Sequence, residues 1–144
     1  MQQQNFGNHA RIVKGYHMIT FIIILAVLIL SIIHLVQVFG EDGWLYIGLI
    51  PVLTAIALIL IAYYARVFAL KAQDRAIRAE ENLRHFLLTG KPLDTALQMS
   101  QIIALRFAAD EEFVGLAQKA AKEQLKSTDI KKAIANWKSD HYRA

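Results

Sequence analysis

The chain has 144 residues, of which 56% are hydrophobic, 19% are charged and none is cysteine. The lack of cysteine excludes disulfides, thiolate metal sites and cysteine nucleophiles. The net charge of +4 is modest. The distribution of the charges along the chain indicates how the protein is oriented in a membrane more than it indicates nucleic-acid binding. Between Met18 and Ala65 the only charged residues are Glu41 and Asp42, so apolar residues and charges occupy different parts of the chain.

Two long apolar runs follow an N-terminal tail at residues 1–17. They cover residues 18–39 and 44–65, and contain sixteen and eleven Leu, Ile, Val or Phe residues respectively. A membrane span needs about 20 apolar residues, and each run is apolar on all sides, unlike a surface helix of a soluble protein. We therefore predict a transmembrane hairpin, in which the short outer loop 40–43 joins two antiparallel spans.

A cleaved signal peptide is the alternative interpretation of the first run. A signal peptide has an apolar region of about 7–15 residues behind a positively charged start. The first run is longer than this, and a second apolar run follows it at once. These features favour a retained span.

The positions of the basic residues predict how the hairpin is oriented. The tail before Met18 has two Lys or Arg residues, the connecting loop has none, and the first twenty residues after Ala65 have five. Basic residues near span ends mark the cytoplasmic side. We expect both termini, and therefore residues 66–144, to be cytoplasmic.

Residues 66–144 are predicted to form a helical domain whose first helix continues the second span. No glycine or proline interrupts the chain between Val52 and Thr89, and Gly90 and Pro92 are typical helix-ending residues. The helix shows acid-before-base pairs at i,i+4, namely Asp74–Arg78, Glu80–Arg84 and Glu81–His85, which favour an exposed helix surface. The predicted packing face of the domain comprises Phe68, Leu83, Phe86, Phe113 and Trp137.

Three shorter helices are expected to pack against this long helix. The first covers 93–107, the second begins with Asp110 as its N-cap, and the last begins at a cap formed by Ser127 or Thr128. Apolar residues of the last helix repeat at helical spacing as far as Trp137. Because no strand pattern occurs, the predicted fold class is an all-α membrane protein with a two-helix transmembrane hairpin and a C-terminal cytoplasmic helical domain.

Four blocks of the sequence are distinctive: 68–86 (FALKAQDRAIRAEENLRHF), 102–113 (IIALRFAADEEF), 136–143 (NWKSDHYR) and the N-terminal segment 9–17 (HARIVKGYH). Together they resemble an uncharacterised bacterial family of small two-span membrane proteins. The resemblance implies a multi-pass protein of the bacterial inner membrane whose function is unknown. It supplies no catalytic residues to carry over.

Ser31, His34 and Gln37 form a polar face within the first span. Polar residues are costly in hydrocarbon and often functional. The simplest interpretation is a contact across the hairpin or with a partner helix, and a proton or ion path is the alternative. Ligation of haem by His34 would need a second histidine from another chain, so we expect no cofactor. Consecutive acidic residues such as Asp110 and Glu111 point in different directions on a helix and cannot bind one ion together, so we expect no metal.

Basic residues follow the second span on the predicted cytoplasmic side. A stripe of this kind attracts anionic lipid headgroups or an acidic protein surface, whereas nucleic acid requires a denser basic surface. We therefore expect lipid or protein partners and no nucleic acid. The residues of this juxtamembrane stripe are Arg66, Lys71, Arg75 and Arg78.

No enzyme motif is present: the chain lacks a P-loop, His-Glu-x-x-His, Gly-x-Ser-x-Gly and Gly-x-Gly-x-x-Gly. The leading hypothesis is a non-enzymatic accessory, assembly or scaffold subunit that binds another protein through its cytoplasmic helices. The expected partners are such a protein or a homo-oligomer in the membrane. A self-associating small transporter or channel that uses the Ser31, His34 and Gln37 face is the first alternative. A membrane-bound enzyme that depends on a partner or cofactor is the second.

Overall fold

The computed structural model of the chain describes residues 5–8, 13 and 15–140. These residues form five α-helices, preceded by a π-helical segment at Gly15–Thr20, and contain no β-strand. The prediction of an all-helical chain is therefore confirmed. The α-helices are α1 (Phe21–Gln37), α2 (Trp44–Thr89), α3 (Met99–Leu105), α4 (Asp110–Glu123) and α5 (Ser127–Ala133).

The chain divides into two compact units, and α2 contributes to both. The first unit is Ile12–Phe68, and the second is Ala69–Ala144 together with the described residues near the N-terminus. Two helices are long and apolar enough to cross a membrane: the continuous stretch Gly15–Gln37 and α2. Little of either apolar stretch is buried within the protein.

In the first unit, α1 lies directly against α2. A Cβ atom at Gly48 would lie 2.7 Å from Cδ1 of Leu35 and 3.2 Å from its Cα, so glycine is what allows the backbones to approach here. Near the start of the π-helical segment, the Tyr16 hydroxyl donates a hydrogen bond to the Ala62 carbonyl. Ala55, between these points on α2, is fully buried. Small residues at such a contact favour close helix packing.

Helix α2 is unbroken from Trp44 to Thr89, with Pro51 in its N-terminal part. It ends at Gly90, which has a φ of +73° and donates its N–H to the Phe86 carbonyl at 2.7 Å. A residue in this left-handed conformation after the last helical turn is a common helix end, and glycine adopts it without strain. The glycine therefore fixes where α2 stops.

The second unit is built around an apolar core to which α2, α3, α4 and α5 all contribute. Phe107 and Phe113 are its largest fully buried side chains, together with Leu105 and Ile130. The remaining fully or nearly buried apolar residues of the core are Ile77, Leu93, Leu97, Ile102, Ala104, Ala108, Ala117, Ala120 and Ile134.

The first of the short helices is shorter than predicted, because α3 begins at Met99 instead of residue 93. The Leu93 N–H donates to Oδ1 of Asn82 on α2 at 2.9 Å. This hydrogen bond holds the chain at Leu93 against α2, before α3 begins. Gln101 then orders the start of α3: its Oε1 accepts the Gln98 N–H at 2.7 Å, and its Nε2 donates to the Leu125 carbonyl at 2.8 Å.

The predicted caps of the last two helices are wrong by one residue. Asp110 is the first residue of α4, and the N-cap is Ala109. Ser127 is likewise the first residue of α5, with Lys126 at the N-cap, and neither helix has a side-chain cap hydrogen bond. The reason at α4 is that the Asp110 carboxylate binds Arg84 of α2 instead of its own backbone.

The prediction that helical structure continues to Trp137 is also wrong, since α5 ends at Ala133. Glu112 accepts the N–H groups of Ala135 and Asn136 at 3.0 and 2.9 Å. Trp137 then forms an isolated antiparallel bridge with Ala108. These contacts hold the segment after α5 against residues 107–112.

Candidate functional site

In the second unit, one side of α2 packs against the helical core. Ile77, Glu81 and His85 are all buried on this side, and Ile77 is only 4% exposed. Their spacing of four residues places them along one face of the helix. This face, which contains two ionisable side chains, is the one that the rest of the unit covers.

A second side of α2 is exposed and carries mainly apolar side chains. We call this surface the α2 stripe; its residues are Ala72, Ala76, Ala79, Leu83 and Phe86. Leu83 is 58% exposed and Phe86 is 51% exposed, and Leu87 beside them is exposed as well. The described part of the second unit therefore leaves this face uncovered.

The stripe corrects the predicted packing face, whose residues do not share one core. Phe68, in the first unit, is exposed, as are Leu83 and Phe86, whereas Phe113 is fully buried. Trp137 is half-buried with its ring centroid 5.2 Å from that of Phe107. The physical reason is that polar contacts of α2 draw its other side against the core.

Arg84 provides the main polar contact between α2 and α4. Its Nε donates to Oδ1 of Asp110 at 2.6 Å, and one terminal nitrogen donates to the Ala108 carbonyl at 2.7 Å. The other terminal nitrogen lies 3.1 Å from Oε2 of Glu81, and the guanidinium carbon lies 4.2 Å from the centre of the Phe113 ring. Charge-assisted hydrogen bonds of this kind are stronger than neutral ones, so Arg84 fixes which face of α2 is covered.

Glu81 is buried beside this arginine. Burial raises the pKa of the Glu81 carboxyl above its ordinary value, while the hydrogen bond and positive charge of Arg84 act in the opposite direction. Desolvation favours the neutral form of a carboxyl group. The carboxyl is therefore easier to protonate in the folded protein than in the unfolded chain.

His85 anchors the chain just after α2. Its Nδ1 lies 2.8 Å from the Lys91 carbonyl oxygen, which can only accept, so Nδ1 carries the proton. The His85 ring also meets the Phe113 ring edge-on, with centroids 6.0 Å apart. The histidine is thus a packing and anchoring residue of the core.

The basic residues of the predicted juxtamembrane stripe differ in their surroundings. Arg66 is half-buried in the first unit, where it lines an apolar cleft of about 350 Å³ with Tyr16 and Tyr63. In the second unit Lys71 is exposed, and Arg75 and Arg78 line an open cleft of about 560 Å³. That cleft also contains Ala79 of the stripe, with Asn82, Leu93, Asp94, Thr95, Leu97 and Ile102.

The polar residues predicted inside the first span do not form one accessible surface. Ser31 is buried at 7% exposure, His34 is half-buried and Gln37 is exposed. At about 100° per residue, each step of three turns the side chain by about 60° around α1. The three residues therefore pass from the packed side of α1 to its outer side.

Sequence reasoning missed the cluster in which the buried side chains of Glu81 and Arg84 pair and Arg84 also binds the exposed Asp110. It interpreted Glu81 as a surface partner of His85, and Glu80 as the partner of Arg84. In the structure Arg84 pairs with Glu81 and with Asp110. Arg84 and Asp110 are 26 residues apart in the sequence. Ile77, a β-branched residue within an alanine-rich stretch, is the one local signal for the packed face.

Within residues 5–8, 13 and 15–140, no three His, Asp or Glu side chains are grouped as a metal site requires. The buried charged groups around Arg84 are engaged with one another. Two surfaces on α2 in the second unit are open to a ligand: the α2 stripe and the cleft beside it that Arg75 and Arg78 line. The first is suited to an apolar helix and the second to a negatively charged group.

Comparison with known proteins identifies the family of the chain, but the function of that family is unknown. No curated protein and no solved structure matches the chain. A family model, described as "Family of unknown function (DUF6526)", matches residues 1–144. The match covers the whole chain and agrees with the resemblance to an uncharacterised family. The chain belongs to the DUF6526 family, whose function is unknown.

Proposed function

We propose that the chain is an inner-membrane protein of bacteria whose two apolar helices form a transmembrane hairpin over 18–39 and 44–65. Both termini and the helical domain at 66–144 lie in the cytoplasm. The outward exposure of large apolar residues supports this arrangement: Leu30 is 65% exposed and Val36 is 70% exposed. A core helix of a soluble protein would have such residues buried, whereas lipid covers them in a membrane.

The proposed role is that of a non-enzymatic accessory, assembly or scaffold subunit. The observation that carries this proposal is the α2 stripe, an apolar helix face beyond the predicted span that the described part of the domain leaves uncovered. Exposed apolar surfaces of this kind mark interaction sites. An amphipathic helix that lays this face against another helix would bury it.

The anchoring of the stripe within the second unit supports the same role. Arg84 fastens the covered side of α2 to α4, so the stripe has a fixed position on the helical core. Binding sites on such helices are held more firmly than sites on loops. Anionic lipid headgroups are the proposed partners of Lys71 and Arg66, near the cytoplasmic end of the second span.

Co-purification tests the proposed role. The tagged full-length chain is solubilised gently in several detergents, and the bound proteins are identified by mass spectrometry. Leu83→Glu and Phe86→Glu should abolish the protein contacts of the wild type, because a charge on the stripe cannot be buried without cost. Leu88→Glu is the matched control, since Leu88 is exposed on another side of α2 and should retain the contacts.

Two outcomes would overturn the scaffold proposal. The first is that the wild-type chain binds neither another protein nor a second copy of itself in any detergent. The second is that Leu88→Glu removes the bound proteins as completely as Leu83→Glu does. Circular dichroism of each variant establishes that the helical fold is retained before contacts are compared.

A further inference from the structure

The α2 stripe repeats at the spacing of a coiled coil. Successive stripe residues are separated by four, three, four and three positions, which is the alternation of a and d positions in a heptad repeat. Ala76 and Leu83 occupy a positions, and Ala72, Ala79 and Phe86 occupy d positions. An exposed a/d seam is the surface by which one helix of a coiled coil meets another.

We propose that the α2 stripe pairs with the α2 stripe of a second copy, in a parallel two-stranded coiled coil. This inference rests on the proposed function and names the partner of the same surface. The membrane hairpin favours the parallel arrangement, because two chains anchored in one orientation direct their α2 helices the same way. The partner helix is therefore identical in sequence and direction.

Charges beside the seam favour this pairing. Arg75 occupies a g position and Glu80 the e position five residues later, and in a parallel coiled coil these two positions face each other across the seam. Two-fold symmetry then gives two Arg75–Glu80 pairs between the chains. An antiparallel pairing would instead place g beside g and e beside e. Arg75 and Glu80 are exposed, and neither belongs to an ion pair within the described part of the chain.

The small residues of the seam suit a close approach of two helices. Ala72, Ala76 and Ala79 allow two backbones to come together, while Leu83 and Phe86 at the far end supply larger apolar surfaces. The open cleft next to Ala79, which Arg75 and Asn82 also line, leaves space on the g side of the seam. Within the described part of the chain, the side chains at the seam are exposed and can meet a second helix.

The covered side of α2 is compatible with dimer formation. Ile77 is at a b position, His85 is at a c position and Glu81 is at an f position; all three are buried against the chain's own helices. In a two-stranded coiled coil these positions face away from the partner. Pairing through the seam therefore leaves the core of each copy intact.

Cysteine cross-linking tests the proposal, because the natural chain has no cysteine. Single variants Ala72→Cys, Ala79→Cys and Leu83→Cys are made in the full-length chain, and its membranes are oxidised mildly. Each should form a disulfide-linked dimer, since a parallel pairing places identical seam positions side by side. The control Arg78→Cys, exposed and adjacent to Ala79 but outside the seam, should remain monomeric.

Charge reversal provides a second measurement on the Ala79→Cys background. Arg75→Glu alone and Glu80→Arg alone should each lower the dimer yield roughly fivefold, because two attractive pairs become repulsive. The combination of both reversals should restore the yield. Recovery in the double variant distinguishes a specific pair from a general disturbance of α2.

Several outcomes would overturn the dimer. One is equal cross-linking of Arg78→Cys and Ala79→Cys; another is no cross-link at any seam position. Cross-links between Ala72→Cys and Leu83→Cys chains only when the two are mixed would indicate an antiparallel pairing instead. If no seam position cross-links and Leu83→Glu nonetheless removes a co-purified protein, the scaffold role stands and the second copy is rejected as the partner.

Discussion

Arg84 is the residue on which the attachment of α2 to the core depends most. Its side chain is 11% exposed and contacts Glu81, Asp110, Ala108 and Phe113. Replacing it by Met leaves Glu81 buried without its partner, and removing one member of a buried pair costs about 3–5 kcal/mol. We expect Arg84→Met to lower the free energy of unfolding by roughly 3 kcal/mol, measured by denaturant titration of the solubilised chain.

The control for Arg84 is Arg78→Met, which removes the same charge from an exposed position of the same helix. Exposed substitutions usually change stability by about 0.5 kcal/mol or less. Equal losses in the two variants would show that the contacts of Arg84 contribute nothing specific.

Glu81 gives the second prediction at the level of single residues, and it concerns pH. Because burial raises its pKa above the ordinary value of 4.5, the folded protein holds this proton more tightly than the unfolded chain does. The contribution of Glu81 to the free energy of unfolding is therefore largest below the pKa of the unfolded chain. It falls as the pH rises from that pKa through the higher pKa of the folded protein. Glu81→Gln keeps an acceptor for Arg84 and removes the titration.

The thermal midpoint of the wild type and of Glu81→Gln, followed by circular dichroism from about pH 4 to pH 7, measures this effect. The advantage of the variant over the wild type should grow as pH rises. Glu123→Gln, at an exposed position of α4, should show no such trend. A constant difference between Glu81→Gln and the wild type across the range would contradict the prediction.

At the scale of elements, the contact between α1 and α2 depends on Gly48. A methyl group there would meet Leu35 at 2.7 Å and Val38 at 3.0 Å, so the helices must separate to accept it. Overpacking of this kind costs about 1–3 kcal/mol. We expect Gly48→Ala to destabilise the first unit by this amount in SDS titration of the purified chain. Adding Leu35→Ala should restore only part of the lost stability, because the Cα of residue 35 would still lie 3.2 Å from the new methyl group.

Gly115 provides a control of opposite sign. It lies inside α4, and a Cβ atom added there would have no neighbour within 4 Å. Alanine is favoured over glycine within a helix by about 0.5–1 kcal/mol, so Gly115→Ala should stabilise the chain. Stabilisation by both substitutions would show that the packing at Gly48 is not tight.

The elements also show which features a sequence can reveal. The end of α2 was predictable because Gly90 acts locally. The extended segment that ends at Trp137 was not, because it depends on Glu112 and Ala108, which are distant in sequence. The covered face of α2 was missed for a similar reason: apolar periodicity favours Leu83 and Phe86, whereas long-range bonds of Arg84 select the opposite side.

At the scale of the whole molecule, composition and charge segregation were sufficient to predict an all-helical chain with two long apolar helices. The positions of the Glu81–Arg84–Asp110 cluster and of the exposed stripe required the structure, because a helical repeat defines the faces of a helix without showing which face is covered. Ser31, His34 and Gln37 illustrate this: their spacing suggested one face, yet their exposures differ.

Membrane orientation is the prediction that belongs to this scale. Asp42→Cys lies in the loop between α1 and α2, and Lys119→Cys is exposed on α4. With both termini in the cytoplasm, a membrane-impermeant maleimide added to intact cells should label Asp42→Cys alone. It should label Lys119→Cys only after the membrane is permeabilised. The reverse pattern would show that the positive-inside distribution has been misread.

The α2 stripe also has a consequence for how concentration governs assembly. A seam of five residues is short, and in free solution a coiled coil of that length would dissociate readily. In the proposed arrangement, two chains held in the same bilayer have already lost most of their translational freedom, so their encounter resembles that of tethered partners at high effective concentration. Pairing would then respond to the density of chains in the membrane, and the liberated cytoplasmic fragment would remain monomeric.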